Sequence, residues 1–307
     1  RLLKLYNIIV GISNDQFPIF NKIPNSNVQL PKIIPATVEF IDIAGIVKEA
    51  HKGEGLGNKF LSHIRECDAI CMVLRCFEDE NIIHVAGKID PKDDMETIVT
   101  ELELADLEME EKRKAKSEKL KTTHSTSSGQ ATENLNILSR KPMIYALNVS
   151  EHDAGLSIEE IAKKFNLDSS IINHQSSIII SAKVEEDLID LSSDEHKEYL
   201  ESLGLQKSGL DRLIQSAYDT LDLQSYFTAG PKEVRAWTIK KGVKAPEAAG
   251  KIHTDFEKGF IKAAVISYDD FIKYNGELGA KTAGKLRLEG RDYIMKDGDI
   301  VEFKFNV

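Results

Sequence analysis

Five short apolar runs, spaced by helix-like stretches, constrain this chain more than any other feature. They are "LYNIIVGIS" (5–13), "IIPATVEFIDIAG" (33–45), "AICMVLRCF" (69–77), "KPMIYALNVSE" (141–151) and "SSIIISAK" (176–183). Each is near-continuously apolar, the pattern of a strand buried on both faces of a parallel sheet. Between them "GNKFLSHIRECD" (57–68) and "SIEEIAKKFN" (157–166) read as helices. Strand and helix in alternation predict a doubly wound α/β domain.

Residues 91–120 break that rhythm. The stretch opens on Pro91 with acidic residues behind it, as a helix N-terminus should. Met95, Ile98, Val99, Leu102, Ala105 and Met109 recur at three- and four-residue steps, and Glu108–Lys112 and Glu110–Lys114 are spaced as helical ion pairs. The pattern predicts a long amphipathic helix that turns polar, then a loop at 123–134. An inserted helical arm over 91–140 is the reading; an ordinary crossover helix is its competitor. From about 222 the style changes again. "EVRAWTIKKG" (233–242) reads as a strand with a turn, 245–261 as a helix opened by Ala-Pro, and 262–274 as a strand running into a helix. "RDYIMKDGDIVEFKFNV" (291–307) reads as a hairpin turning at Asp297-Gly298. These predict a small α+β module of β-grasp type.

Charge follows the same division. Of 40 Lys+Arg and 50 Asp+Glu, residues 222–307 hold 15 and 13, leaving 25 and 37 for the rest. The acidic body argues against wholesale coating of nucleic acid. The near-neutral end is compatible with RNA contact, and Lys240, Lys241, Lys244, Lys251, Lys258 and Lys262, with Trp237 and Tyr268, are its candidate surface. No run of 18 apolar residues predicts a membrane span. Cys67, Cys71 and Cys76 lack zinc-site spacing and read as thiols of a reduced, cytoplasmic protein.

The chemistry-bearing residues sit at strand ends. In "IDIAGIVKEAHKGEGLGNKF" (41–60), Asp42-x-x-Gly45 follows an apolar run. An Asp there can hold Mg²⁺ through water, and the Gly45 amide can meet a γ-phosphate oxygen because no side chain blocks it. "LNVSE" ends a strand with Asn148-x-x-Glu151, where GTPases carry Asn-x-x-Asp to grip guanine. A carboxylate one methylene longer would meet the base differently. Ser181-Ala182-Lys183, after another strand, matches the loop that supports the base. Each signal is weak alone; the three in this order and context point to a nucleotide site.

Long segments now identify a family. Residues 40–70, "RCFEDENIIHVAGKIDP" (75–91), "NVSE" and above all 225–271 resemble the YchF/Obg-like ATPase family, nearly along the whole chain. The resemblance implies a Ras-like P-loop NTPase domain (1–90 and 141–221), a coiled-coil insertion (91–140) and a C-terminal TGS domain (222–307). It implies ATP rather than GTP, read by Asn148, Glu151 and the Val149 backbone, with Mg²⁺ and a ribosome or RNA partner. It also makes Ile46 an expected replacement for the usual catalytic Gln and assigns the water-orienting role to His84.

The phosphate loop departs from that family. "VGISNDQFPIFNKIPN" (10–25) keeps Gly11 and Asn14 but lacks the loop's Gly-Lys-Ser-Thr half, and the switch position for the Mg²⁺-binding Thr falls on Asn21. Losing several charge-assisted hydrogen bonds, each worth on the order of 1.5–3 kcal/mol, would weaken phosphate binding by orders of magnitude. Either nucleotide binding is lost or the 307 residues join segments of a longer chain. An intact mass near 34.3 kDa would exclude the second explanation.

Overall fold

A computed structural model describes residues 8–10, 32–41, 61, 63–78, 89–121, 137–168, 171, 175–230 and 232–306. Two units emerge, and the described residues 8–10 and 32–40 group with the described part of 221–306. Strand β1 (Ile8–Val10) pairs antiparallel with β3 (Ala36–Val38), while β2 (Lys32–Ile34) pairs parallel with residues Glu233–Arg235. The single strand expected across 33–45 is therefore split. Pro35 stands at the break, where it has no N–H to continue a ladder. Among the described residues, 8–10 and 32–38 thus pair outside the three-stranded parallel sheet, and 42–45 lie outside the described residues.

The other three apolar runs supply that sheet. In the first unit β4 (Ile70–Cys76), β5 (Met143–Val149) and β6 (Ser177–Ile180) form an all-parallel sheet in that order. Helices α1 (Pro91–Lys121), α2 (Ile158–Lys164), α3 (Ala182–Leu188), α4 (Ser193–Ser202) and α5 (Gly209–Thr220) follow the strands. Leu74, Leu147, Ile161, Ile179 and Val184 fill its core. Burying each such side chain contributes roughly 1.5–3 kcal/mol. Gly209 is required where α5 meets β6, because a Cβ there would lie 2.7 Å from Ile180 Cγ1.

The long helix expected over 91–120 forms as α1. Its first half behaves as a crossover helix: Met95 joins the main core, and Leu102 and Ala105 pack with Leu61, Ile64 and Leu138. Asp106 then accepts the Leu138 and Ser139 amides at 2.8 and 2.9 Å, fastening the returning chain at the start of the 3-10 turn Leu138–Arg140. Beyond that clasp residues 110–115 are exposed, and the expected pairs Lys112–Glu108 and Lys114–Glu110 form at 3.3 and 2.9 Å. The 31-residue helix is about 45 Å long at 1.5 Å per residue.

The second unit adds β7 (Leu223–Ala229), β8 (Glu233–Lys240), α6 (Ala245–Ile252), α7 (Thr254–Lys258), β9 (Phe260–Ser267), α8 (Tyr268–Lys273), α9 (Glu277–Thr282), β10 (Arg287–Glu289) and β11 (Asp299–Phe305). Its sheet runs β10-β9-β11-β7-β8-β2. The expected helix 245–261 is two, parted at His253, whose ring nitrogen accepts the Asp255 amide. The hairpin expected at 291–307 does not form. Strand β11 lies between β9, antiparallel, and β7, parallel, so both of its edges are taken by other strands. The Asp297-Gly298 turn survives, with Gly298 at φ +77°, and delivers the chain into that central position.

Candidate functional site

Strands β5 and β6 run parallel and end side by side, Asn148 opposite Ile180. In open α/β sheets ligands bind beyond the carboxyl ends of the strands. Asn148 is only 5% exposed, and its Oδ1 accepts the Ala182 amide at 3.0 Å across to the neighbouring strand end. Ser181 is buried there as the N-cap of α3, accepting the Val184 amide at 3.5 Å. One side chain thus ties the two loops that the sequence assigned to the base. Val149 closes β5 with its side chain in the core. Glu151 begins the 3-10 turn Glu151–Asp153 and is exposed.

Further polar contacts lie at these strand ends, one of them on Glu151 itself. The Tyr199 hydroxyl on α4 donates to its carboxylate at 2.9 Å. Lys183 Nζ reaches Asp187 at 2.7 Å and Glu186 at 3.3 Å along α3. Asp153 accepts from the Ser150 hydroxyl and from Lys164 Nζ, both at 2.8 Å, and the Lys164 contact above all holds its carboxyl below the usual range. Burial pushes the Tyr199 phenol up to about 12, with the Glu151 hydrogen bond adding to it. Ser150-x-x-Asp153 was readable as a turn-capping pair. Tyr199 was not, since 48 residues separate it from its partner.

Glu185 braces the site from behind, accepting the Gly209 amide at 2.7 Å, so α3 and α5 are joined through one carboxylate. Burial raises its pKa. A cavity of about 370 Å³ lined by Arg65, Asp68, Arg140 and Lys141 lies instead before β4 and β5 begin, at the strand ends opposite the base loops. No disulfide joins the three cysteines; Cys76 is buried, and burial pushes the Cys71 and Cys76 thiols up to about 12. Gly11, Asn14, Asp42, Gly45 and His84 lie outside the described residues, so the structure brings together the base-side candidates and says nothing of the phosphate-side ones.

In the second unit the candidate RNA surface is partly spent on the fold. Lys244 pairs with Asp292 at 2.8 Å. Trp237 donates to Thr228 at 3.0 Å beneath the Arg235 guanidinium, and Tyr268 packs against Phe227. Lys240, Lys251, Lys258 and Lys262 fall on four different elements. Among the described residues no helix is long and apolar enough to cross a membrane.

Comparison with known proteins covers both units. The 50S ribosome-binding GTPase family matches residues 22–148. The YchF-GTPase_C family, described as a protein of unknown function, matches 223–306. The protein named ribosome-binding ATPase YchF of Escherichia coli O157:H7 is 45% identical over 99% of this chain and 95% of its own length. That of Bacillus subtilis is 45% identical over 97% and 88%. The Schizosaccharomyces pombe YchF GTPase superposes with a TM-score of 0.74 at 34% identity, covering 95% of this chain and 84% of that one. The Escherichia coli match runs over 354 aligned positions, more than the 307 residues here, so that relative carries residues inside the match that this chain lacks. A parallel sheet with Asn148 and Ser181 at adjacent strand ends, a long helix after β4, a mixed-sheet module later in the chain, and relatives this similar over nearly full length together place the chain in the YchF/Obg-like ATPase family.

Proposed function

We propose that the chain is a nucleotide-dependent regulatory ATPase that works with the ribosome in the cytoplasm, taking ATP first and GTP second. One observation carries the nucleotide reading: the buried Asn148 amide bridges the ends of β5 and β6 through the Ala182 N–H. That bond spends the carbonyl oxygen on the protein and leaves the amide NH₂ to face a ring nitrogen of a base. The Val149 backbone meets adenine beside it, and Ser181 and Ala182 form the floor. The relatives' names, ribosome-binding ATPase, support both the nucleotide and the partner.

On the phosphate side, Gly11 and Asn14 are the retained part of the loop, and the Gly45 amide approaches the γ-phosphate. His84 orients or deprotonates the attacking water, replacing the Gln whose place Ile46 occupies. Magnesium is the ion this activity implies, and Asp42 would hold it through water. Among the described residues no three His, Cys, Asp or Glu gather to hold a metal. The loop Lys and Ser/Thr that complete a phosphate-loop ion site are absent from the sequence. The residues present therefore do not complete a magnesium shell.

Titrating ATP and GTP against the protein tests the reading: ATP is expected to bind more tightly, and tighter GTP would make this a GTPase. Turnover unchanged in His84→Ala would remove the catalytic assignment. The missing loop lysine favours a second reading, a ribosome- or RNA-binding module whose nucleotide site has degenerated. Its signature is ribosome cosedimentation that is lost on deleting 222–307 and is indifferent to nucleotide.

A further inference from the structure

Tyr199 belongs to none of the motifs above, yet it occupies the carboxylate on which base choice turns. Helix α4 is set in place by the Ser192–Glu195 capping box and by Leu200 buried in the core, so Tyr199 is held at a fixed point of the helix. Its phenol carries one proton. Two carboxylates lie within reach, Glu151 at 2.9 Å and Asp187 at 3.4 Å. Asp187 already accepts from Lys183 Nζ at 2.7 Å. The shorter contact, to Glu151, is the stronger one; Asp187 accepts Lys183 on Oδ1 and faces Tyr199 with its other oxygen.

Guanine offers two N–H donors along the edge that a free carboxylate would grip. Adenine offers one donor and a ring acceptor, which a free carboxylate repels. A carboxylate at this position discriminates only as far as its oxygens are available. We propose that Tyr199 is a specificity-positioning residue: by holding Glu151 through Oε1 it fixes the carboxylate towards α4, away from a two-donor grip on guanine, and favours the adenine nucleotide. This rests on the base-reading role of Asn148 and Glu151 proposed above. It adds that the extra methylene of Glu over Asp serves to reach α4.

The test displaces a fluorescent ATP analogue from the full chain with ATP or with GTP. Tyr199→Phe removes the hydroxyl and keeps the ring, and thermal melting verifies that the variant is folded. The GTP-to-ATP affinity ratio is expected to rise about tenfold, the order expected for releasing one hydrogen bond to a charged group. In a Glu151→Gln background the same change is expected to move the ratio by less than about twofold, since the amide offers guanine a donor where it needs an acceptor. An unchanged ratio in Tyr199→Phe overturns the inference. So does an equal fall in both affinities, or a melting-temperature loss without a ratio change, since either marks a structural role. Wild-type protein that binds neither nucleotide overturns the base-reading assignment itself, and this inference with it.

Discussion

The two units handle buried polar groups in opposite ways. In the first, the buried polar side chains at the strand ends face outward and join loops: Asn148 spans β5 to β6, and Asp153 holds Ser150 and Lys164. In the second, they point into the sheet and fix topology. The fully buried Tyr226 donates to the Ala248 carbonyl at 2.8 Å, tying β7 to α6. Gln224 donates to the Met295 carbonyl, and Asp299 accepts from Tyr293 and the Lys296 amide. Polar groups at open parallel strand ends are available to a ligand. The same groups inside a mixed sheet choose one strand order over others, as at β11, where Ile300 sits between Phe227 of β7 and Ile266 of β9.

Removing one group of each kind should separate the two roles. Asn148→Ala is expected to have the largest effect, because it leaves the Ala182 amide unpaired and deletes the proposed base contact together. Nucleotide affinity should fall by more than about tenfold and stability by about 1–3 kcal/mol. Titration and chemical denaturation measure both. Affinity that survives the change would put the base elsewhere. Tyr226→Phe should lower the stability of residues 221–306 by about 1–2 kcal/mol while nucleotide affinity holds. Hydrogen exchange resolved by unit reads the difference, and a matching fall in affinity would show that the C-terminal fold carries part of the site.

The arm offers a third comparison, between the packed and exposed halves of α1. Asp106 accepts two backbone amides where the chain returns. Asp106→Ala is expected to cost about 1–2 kcal/mol and to raise exchange at Leu138 and Ser139, whereas breaking the exposed Lys114–Glu110 pair should leave stability essentially unchanged. Equal effects would mean that the clasp is no more than a surface contact.

These contrasts also explain what was legible in the sequence. The three-stranded parallel core was readable because its runs are continuous and β-branched, and burial on both faces requires that. The strand-end placement of Asn148 and Ser181 was readable because strand-end chemistry is local. The positions of β2 and β11 were not, since three-residue strands and a strand with partners on both sides are decided by pairing rather than by pattern. Tyr199 and Asp106 were equally hidden. Each acts on a residue more than thirty positions away, and a lone Tyr or Asp on a helix carries no sign of such a partner.

The smallest expected effect lies in two aspartates whose pKa values move in opposite directions. Asp153, next to Lys164, has its carboxyl lowered; Asp299 has its carboxyl raised, by burial first, with Lys296, Tyr293 and Arg287 offsetting part of it. For Asp153 the unfolded chain binds the proton first. Its contribution is present above the ordinary carboxylate value of 3.8 and is lost as pH falls through the lower folded value. For Asp299 the folded chain binds the proton first, so stability rises as pH falls through its folded value and levels off below 3.8. Mild acidification should therefore stabilise the second unit slightly before stronger acid weakens the first, each by about 1 kcal/mol or less. Unit-resolved hydrogen exchange across that range measures both slopes. Asp299→Asn should abolish the rise and Lys164→Met should flatten the later fall. If both units instead lost stability together from the start of acidification, the buried carboxylate in the sheet would be acting as an ordinary ion-pair partner, and the contrast between the two units would fail.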